Sequence, residues 1–255
     1  MVAAIIAARG GSQRLPRKNV LPFCGLPLVA WSIIQAKCSH LIDGVWLSTD
    51  DDEIAAIGEE YGAQIIRRPD WPDANEASAA RPLIHAMRLI QDWHPDFDLL
   101  VSILPTGPVR KPEDIDRLVT LWRDTGGDPH CTHGYPEPQI FLRKEVPSGG
   151  FVAAVFSKNY DYWRHHGHAA VLSPERYYRE FGKKDLDAKA DADLLAAIEA
   201  GEVSEKNACY YSAIERWQVQ DTDTAEEFEF AEVVMEHYLL KGRGPQIYYD
   251  YKDQP

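Results

Sequence analysis

Through roughly the first 125 residues, short apolar runs alternate with segments of helical spacing, and few architectures accept that alternation. Val2–Ala8 is a continuous apolar run, followed by a loop punctuated by Gly and Pro to about Pro27. Leu28–Lys37 has helical spacing, Gly44–Ser48 reads as a strand, and Asp51–Tyr61 reads as a helix with acidic residues in its first turn. Gln64–Ile66 reads as a short strand and Ala77–Trp93 as a helix with apolar Leu83, Ile84, Met87 and Ile90. Phe97–Leu104 then reads as a strand and Pro112–Arg123 as a helix opened by proline. Strands separated by helices predict an α/β fold, a mostly parallel sheet with helices on both faces. Ligands of such sheets bind beyond the carboxyl ends of the strands, so the loops after Ala8, Ser48 and Leu104 are where chemistry is expected.

The pattern changes after Gly134. Residues 135–150 are rich in Pro and Gly, Gly150–Ser157 reads as a strand, and Tyr160–Lys184 is dense in Tyr, His and charge. Leu186–Ala200 is helical in spacing, alternation resumes over Asn207–Gln220, and a helix is expected from about Ala225 to Leu240. The predicted organisation is a core of residues 1–134 and 207–255, with 135–206 as a smaller inserted sub-domain. A chain of 255 residues buries a core without disulfides or metal staples. Its four cysteines, Cys24, Cys38, Cys131 and Cys209, show no CxxC spacing, which argues against a zinc ribbon or redox pair and for a reducing cytosol. The apolar runs fall far short of the roughly 18 residues a membrane span needs. Val2–Ala8 lacks a basic segment before it, so it reads as a buried strand rather than a signal peptide, and a cytoplasmic location is expected.

A net charge of −13 argues against a nucleic-acid partner. Yet residues 1–42 hold Arg9, Arg14, Arg17, Lys18 and Lys37 and no acidic residue, a local excess suited to a small anionic ligand. Most of it sits in Ala8-Arg9-Gly10-Gly11-Ser12-Gln13-Arg14-Leu15-Pro16-Arg17-Lys18-Asn19, directly after the first strand. Gly10 and Gly11 let backbone N–H groups converge, Ser12 adds a hydroxyl, and Arg9 and Lys18 can clamp a polyphosphate. The segment is neither GxGxxG nor GxxxxGK[ST], which removes support for a Rossmann dinucleotide site and a Walker loop. The bland alternative for the glycines is a plain tight turn. Near the C-terminus, Asp221 and Asp223 stand at i and i+2 after an extended segment, a hard-oxygen pair suited to a divalent cation. The alternative there is a cap on the following helix by Asp223-Thr224.

These motifs resemble the acylneuraminate cytidylyltransferase family, which makes CMP-sialic acid and related CMP-linked 2-keto-3-deoxy sugar acids. Residues 8–19 resemble its A-R-G-G-S-K-x-[LI]-P-x-K-N loop. Phe23–Leu28, Leu47–Asp51, Arg68-Pro69, Leu104–Arg110 and Gln220–Thr224 follow in the family's order. The resemblance covers 1–125 well and 207–240 moderately. It implies a Rossmann-like nucleotidyltransferase fold and transfer of CMP from CTP to an acidic sugar in a homodimer. It implies that Ala8, Arg9, Gly10, Gly11, Ser12 and Lys18 cradle the triphosphate, with Arg9 and Lys18 as the catalytic charges. Asn19, Arg68 and Ser78 would approach cytosine and ribose, Asp221 and Asp223 would bind Mg²⁺, and Leu104 would face the acceptor. Two departures stand out. Gln13 replaces the family's Lys, with Arg14 beside it, and Leu104 replaces a Gln that contacts the sugar. Other readings kept open are another nucleotide or a non-sialic acceptor, and a non-catalytic nucleotide-binding homologue.

The remaining clusters carry less. His130-x-x-His133 and His165-His166-x-His168 lack an HExxH arrangement. Tyr160, Tyr162, Trp163, Tyr177 and Tyr178 suit packing or a subunit interface. Asp50–Glu53 reads as a helix N-terminus and Glu226–Glu229 as a solvated helix face.

Overall fold

In this computed structural model the described residues are 1–69, 71, 80–125, 129–134, 141–145, 151–155, 163–172 and 210–254. The first strand β1 (Val2–Ala7) is followed by a short hairpin, β2 (Pro22–Phe23) and β3 (Leu26–Pro27), and by helix α1 (Leu28–Cys38). Then come β4 (Gly44–Thr49), α2 (Asp52–Glu60), β5 (Gln64–Arg67), α3 (Ala80–Trp93), β6 (Leu99–Ile103) and α4 (Asp114–Thr125). Every strand and helix expected over 1–125 is present, with ends displaced by a few residues.

Beyond α4 lie β7 (Pro129–Gly134), β8 (Phe141–Glu145), β9 (Phe151–Val155), β10 (Trp163–Leu172) and β11 (Tyr210–Ala213). Among the described residues a seven-stranded sheet has the order β11-β7-β10-β6-β1-β4-β5, while β8 and β9 pair only with each other. β10 runs antiparallel to both β6 and β7, and the other pairings are parallel, so one strand of the seven is reversed. β10 lies inside the stretch read as an insertion, yet it joins the central sheet. Its first half, Trp163–His168, is too polar to show as an apolar run, which is why the sequence reading placed no strand there.

The core forms on both sheet faces. Alternate residues of β1 divide between them. Val2, Ala4 and Ile6 pack with Val29 and Ile33 of α1, Ile54 of α2 and Leu118 of α4. Ala3 and Ile5 pack with Met87 and Ile90 of α3. Ten of the eleven residues of α1 are buried, more than one amphipathic stripe requires. Its outer side explains this, because Trp31 and Ile34 are covered by Phe228, Val234, Leu240 and Tyr248 from the C-terminal helices. Those helices are α5 (Ala225–Val234), continued by a π turn over Met235–Leu240, and α6 (Gln246–Lys252). No helix among the described residues is long and apolar enough to cross a membrane.

Candidate active site

Strand register sets the site's floor. Ile6 is level with Ile103 on one side and Ala7 with Ser48 on the other. The loops after Ala8, Thr49 and Ile103 therefore leave the sheet side by side, at the carboxyl edge where ligands of parallel sheets bind.

The loop after β1 is held by charge. Gly10 N–H donates to Asp50 Oδ1 at 2.9 Å. A Cβ on Gly10 would stand 2.4 Å from Asp51 Oδ2, so this close approach of loop and helix cap demands glycine. Gly11 has open space around the corresponding position. Asp51 caps α2 by accepting from Ile54 N–H at 3.0 Å, as the helix-terminus reading of Asp50–Glu53 expects. It does more, because Arg17 donates to both Asp51 and Glu53. That guanidinium holds the Asp51 carboxyl below the usual carboxylate range. Arg17 sits at φ 59°, a left-handed conformation that costs energy for any residue with a Cβ. Spacing gave no sign of these bonds, since Arg17 lies over thirty residues from both carboxylates.

Lys18 and Asn19 are buried where the loop turns inward. Asn19 Nδ2 donates to the Arg9 carbonyl at 2.9 Å, fixing the loop's base. Lys18 Nζ lies 2.6 Å from Asp223 Oδ1, and Arg14 lies 2.5 Å from Asp223 Oδ2. Residues 205 positions apart thus meet. The structure also separates cap from carboxylate. Thr224 Oγ1 accepts from Glu227 N–H at 3.2 Å while Glu227 returns to Thr224 N–H at 2.9 Å. Thr224 is the cap, so Asp223 is left to face Lys18 and Arg14. Asp221 is half-buried, and its carboxyl is pushed up by burial and then by the charge of Asp223. Asp221, whose ionisation the neighbouring Asp223 charge opposes, forms with Asp223 a hard-oxygen pair that a divalent cation fits.

Arg68 closes the third side. Its Nε donates to Ser48 Oγ at 3.0 Å and its Nη2 to the Ser48 carbonyl at 2.7 Å. Burial pulls the guanidinium down to about 10, with Asp50 opposing and Arg9 adding to the drop. Arg9 and Arg68 therefore share one electropositive corner. His85 of α3 joins it, its imidazole lowered by burial and then by Arg68 and Arg88. The sequence reading did not single out His85, because at a half-buried helix position nothing in spacing sets it apart. Ser78 lies outside the described residues.

Leu104 follows β6 and is partly buried, with its carbonyl accepting from Arg110. The residues expected to act together thus fall at one sheet edge: Ala8–Ser12, Lys18, Asn19, Arg68, Leu104, Asp221 and Asp223. The histidines at 130, 133, 165, 166 and 168 fall on the adjacent strands β7 and β10. No three His, Cys, Asp or Glu side chains among the described residues form a metal cluster.

Solved structures of the same architecture give the fold its class. One is a CMP:2-keto-3-deoxy-manno-octonic acid synthetase complexed with CTP. It aligns at a TM-score of 0.66 and 19% identity over 93% of this chain and 99% of that one. A 4-diphosphocytidyl-2C-methyl-D-erythritol synthase from Anaerococcus prevotii aligns at 0.64 and 13%, over 92% and 96%. The fold is the Rossmann-like nucleotidyltransferase fold. Residues 3–124 match the model of the cytidylyltransferase family. An N-acylneuraminate cytidylyltransferase of Oncorhynchus mykiss is 35% identical over 152 residues, 60% of this chain and 34% of that protein. A pseudaminic acid cytidylyltransferase of Campylobacter jejuni is 37% identical over 107 residues, 41% of this chain and 46% of that protein. The chain thus spans from about a third to about half the length of these curated relatives.

Proposed function

We propose that this chain is a Mg²⁺-dependent cytidylyltransferase that transfers CMP from CTP to an acidic 2-keto-3-deoxy sugar of the sialic-acid kind and releases pyrophosphate. The observation that carries the reading is the contact of Lys18 with Asp223. It joins a glycine-bearing basic loop and a carboxylate pair at one strand edge, the two halves that phosphoryl chemistry needs. The family match over 3–124 and the names of the relatives support the same class of reaction.

In this reading an oxygen of the acceptor, its anomeric hydroxyl, attacks the α-phosphorus of CTP. The bond from that phosphorus to the bridging oxygen breaks, and pyrophosphate leaves. Such a displacement asks the protein for alignment and charge rather than a covalent intermediate. Arg9, Gly10, Gly11, Ser12 and Lys18 hold the triphosphate. Asn19 fixes the loop through the Arg9 carbonyl, and Arg68, anchored on Ser48, lends its charge from the neighbouring strand end. Ser78 belongs to the nucleoside side of the same reading. Asp221 and Asp223 are the residues that would hold Mg²⁺. When bound, the ion supplies Lewis-acid polarisation of the phosphate and lowers the pKa of the attacking hydroxyl. Leu104, one strand over from the loop, faces the acceptor. Its apolar side chain favours an acid with less polarity at that point than N-acetylneuraminic acid. Assembly as a homodimer and a cytoplasmic location complete the proposal.

The test is a matrix of the four nucleoside triphosphates against N-acetylneuraminic, pseudaminic and 2-keto-3-deoxy-manno-octonic acids, read by pyrophosphate release and product mass. A CMP-linked acid formed with CTP alone is expected. Pyrophosphate from no pair would leave a nucleotide-binding protein without catalysis, and a better yield with another nucleotide would overturn the assignment to CTP.

A further inference from the structure

The loop 104–110 makes an unusual use of its carbonyls. Pro105 and Pro108 lack N–H groups, which limits what regular ladder this segment can join. Five carbonyls of the segment instead accept from side chains. Leu104 accepts from Arg110 Nη2, Thr106 from Thr222 Oγ1 at 3.2 Å, and Pro108 from Gln35 Nε2 at 2.7 Å. Val109 accepts from Gln218 Nε2 at 3.4 Å and Arg110 from the Tyr248 hydroxyl.

At the centre, the Arg110 side chain is fully buried and donates to Gln35 Oε1 at 2.5 Å as well as to Leu104. The Gln35 amide is used on both ends, since its Nε2 also donates to the Tyr248 hydroxyl at 2.9 Å. Tyr248 lies on α6, near the end of the chain, and is itself fully buried against Trp31. The chain from α6 through α1 to the carbonyl of Leu104 is therefore continuous.

We propose that Tyr248, Gln35 and Arg110 are positioning residues that fix loop 104–110, so that helix α6 sets how the acceptor is held beside Leu104. None of the three touches a reacting atom. The part of this inference that concerns the acceptor rests on the proposed transfer reaction. The part that concerns the loop does not.

Tyr248→Phe is the variant of choice, because it keeps the buried ring and removes only the hydroxyl that bridges Gln35 and Arg110. Hydrogen exchange should quicken at least about tenfold at the amides of Thr106, Gly107, Val109 and Arg110, with those of residues 9–12 unmoved. The KM for whichever acid the unmodified protein uses best should rise about tenfold, while the dissociation constant of CTP and kcat stay within about twofold. Gln35→Met, which removes the three amide contacts at similar volume, should act the same way on both readouts. A cooperative thermal transition is the check that each variant is folded. Unchanged exchange at 106–110 in both folded variants overturns the network. Faster exchange with an unmoved acceptor KM, or with acceptor and CTP weakened together, overturns the positioning role. If the unmodified protein uses no acid with any nucleotide, the proposed reaction fails, and the exchange measurement alone decides whether α6 holds the loop.

Discussion

Two loops leave adjacent strands at the same edge of the sheet, and they are built by opposite means. Residues 8–19 are held by ionic pairs between side chains. Arg17 reaches Asp51 and Glu53, and Lys18 and Arg14 reach Asp223, while Gly11, Gln13, Arg14 and Pro16 stay exposed. Residues 104–110 are held by buried side chains that donate to backbone carbonyls, four of them neutral and one the Arg110 guanidinium, with Pro105 and Gly107–Arg110 buried. The energetics differ accordingly. The exposed cations Arg14 and Arg17 form pairs that contribute little and are screened by salt, so they can be handed to an anionic ligand at small cost, while the Lys18–Asp223 pair beneath them is largely buried. A buried hydrogen bond to a carbonyl costs more to break than it contributes, because the orphaned oxygen keeps its desolvation penalty. The first loop suits a ligand that arrives with charge, and the second suits a wall that does not move.

The sharpest test of that contrast is removal of divalent cation. Chelation should abolish pyrophosphate release, and added Mg²⁺ or Mn²⁺ should restore it, with the thermal transition little changed. Asp223→Asn should weaken the dependence on Mg²⁺ concentration far more than it lowers stability. Full activity in a chelator would reduce Asp221 and Asp223 to structural carboxylates.

Next in size come paired substitutions, one in each loop. Lys18→Ala should lower turnover at least about 100-fold, the scale of losing one electrostatic stabiliser. Although Lys18 is buried, Arg14 still faces Asp223, so the variant should remain folded. Arg110→Ala should do the reverse. It empties a fully buried site, takes the donor from Gln35 Oε1 and leaves the Leu104 carbonyl with Gly107 N–H alone, at a cost of roughly 3 kcal/mol or more in unfolding free energy. Denaturant titration beside turnover separates the two. Equal stability losses in both variants would erase the distinction between the loops.

Leu104 tests the boundary between them at about tenfold. Leu104→Gln restores a donor and an acceptor next to the rigid wall, and should raise kcat/KM for N-acetylneuraminic acid about tenfold relative to the other acids. Should the unmodified protein already use that acid within about tenfold of its best acceptor, Leu104 marks no change of substrate.

The first loop was legible in the sequence and the second was not, for a physical reason. Glycines, basic residues and a preceding apolar run lie within one short stretch, so Gly10, Gly11, Lys18 and Asn19 announce themselves. The alternation of β1 through α4 is legible for the same reason, being periodic and local. Partners distant in sequence leave no such pattern. Nothing near Arg110 points to Gln35 or Tyr248, which lie 75 and 138 residues away. Nor does anything near Arg17 point to Glu53. The all-round burial of α1 was half legible, because its apolar composition shows, but its cover of C-terminal helices is known only from the fold. β10 was missed because its polar first half masks a strand that the sheet accepts.

The smallest expected effect asks whether the charge-held loop depends on the helix that follows its carboxylate anchor. Thr224 caps α5 in a reciprocal arrangement with Glu227, while the preceding Asp223 takes Lys18 and Arg14. Adjacent residues thus divide two tasks that the sequence alone would allow one Asp to perform. Thr224→Ala removes the oxygen that accepts from Glu227 N–H and should cost about 1 kcal/mol of stability. For a chain of this size that lowers the thermal midpoint by roughly 2–4 °C. Mg²⁺ dependence and the KM for CTP should be untouched, because Asp223 keeps both of its cationic partners. The Asp223→Asn variant should show the opposite pair of readouts, a shifted metal dependence with a near-normal midpoint. If Thr224→Ala shifted the metal dependence as far as Asp223→Asn does, the cap and the anchor would be one unit. The loop at 8–19 would then owe its geometry to α5 as firmly as the loop at 104–110 owes its own to α6.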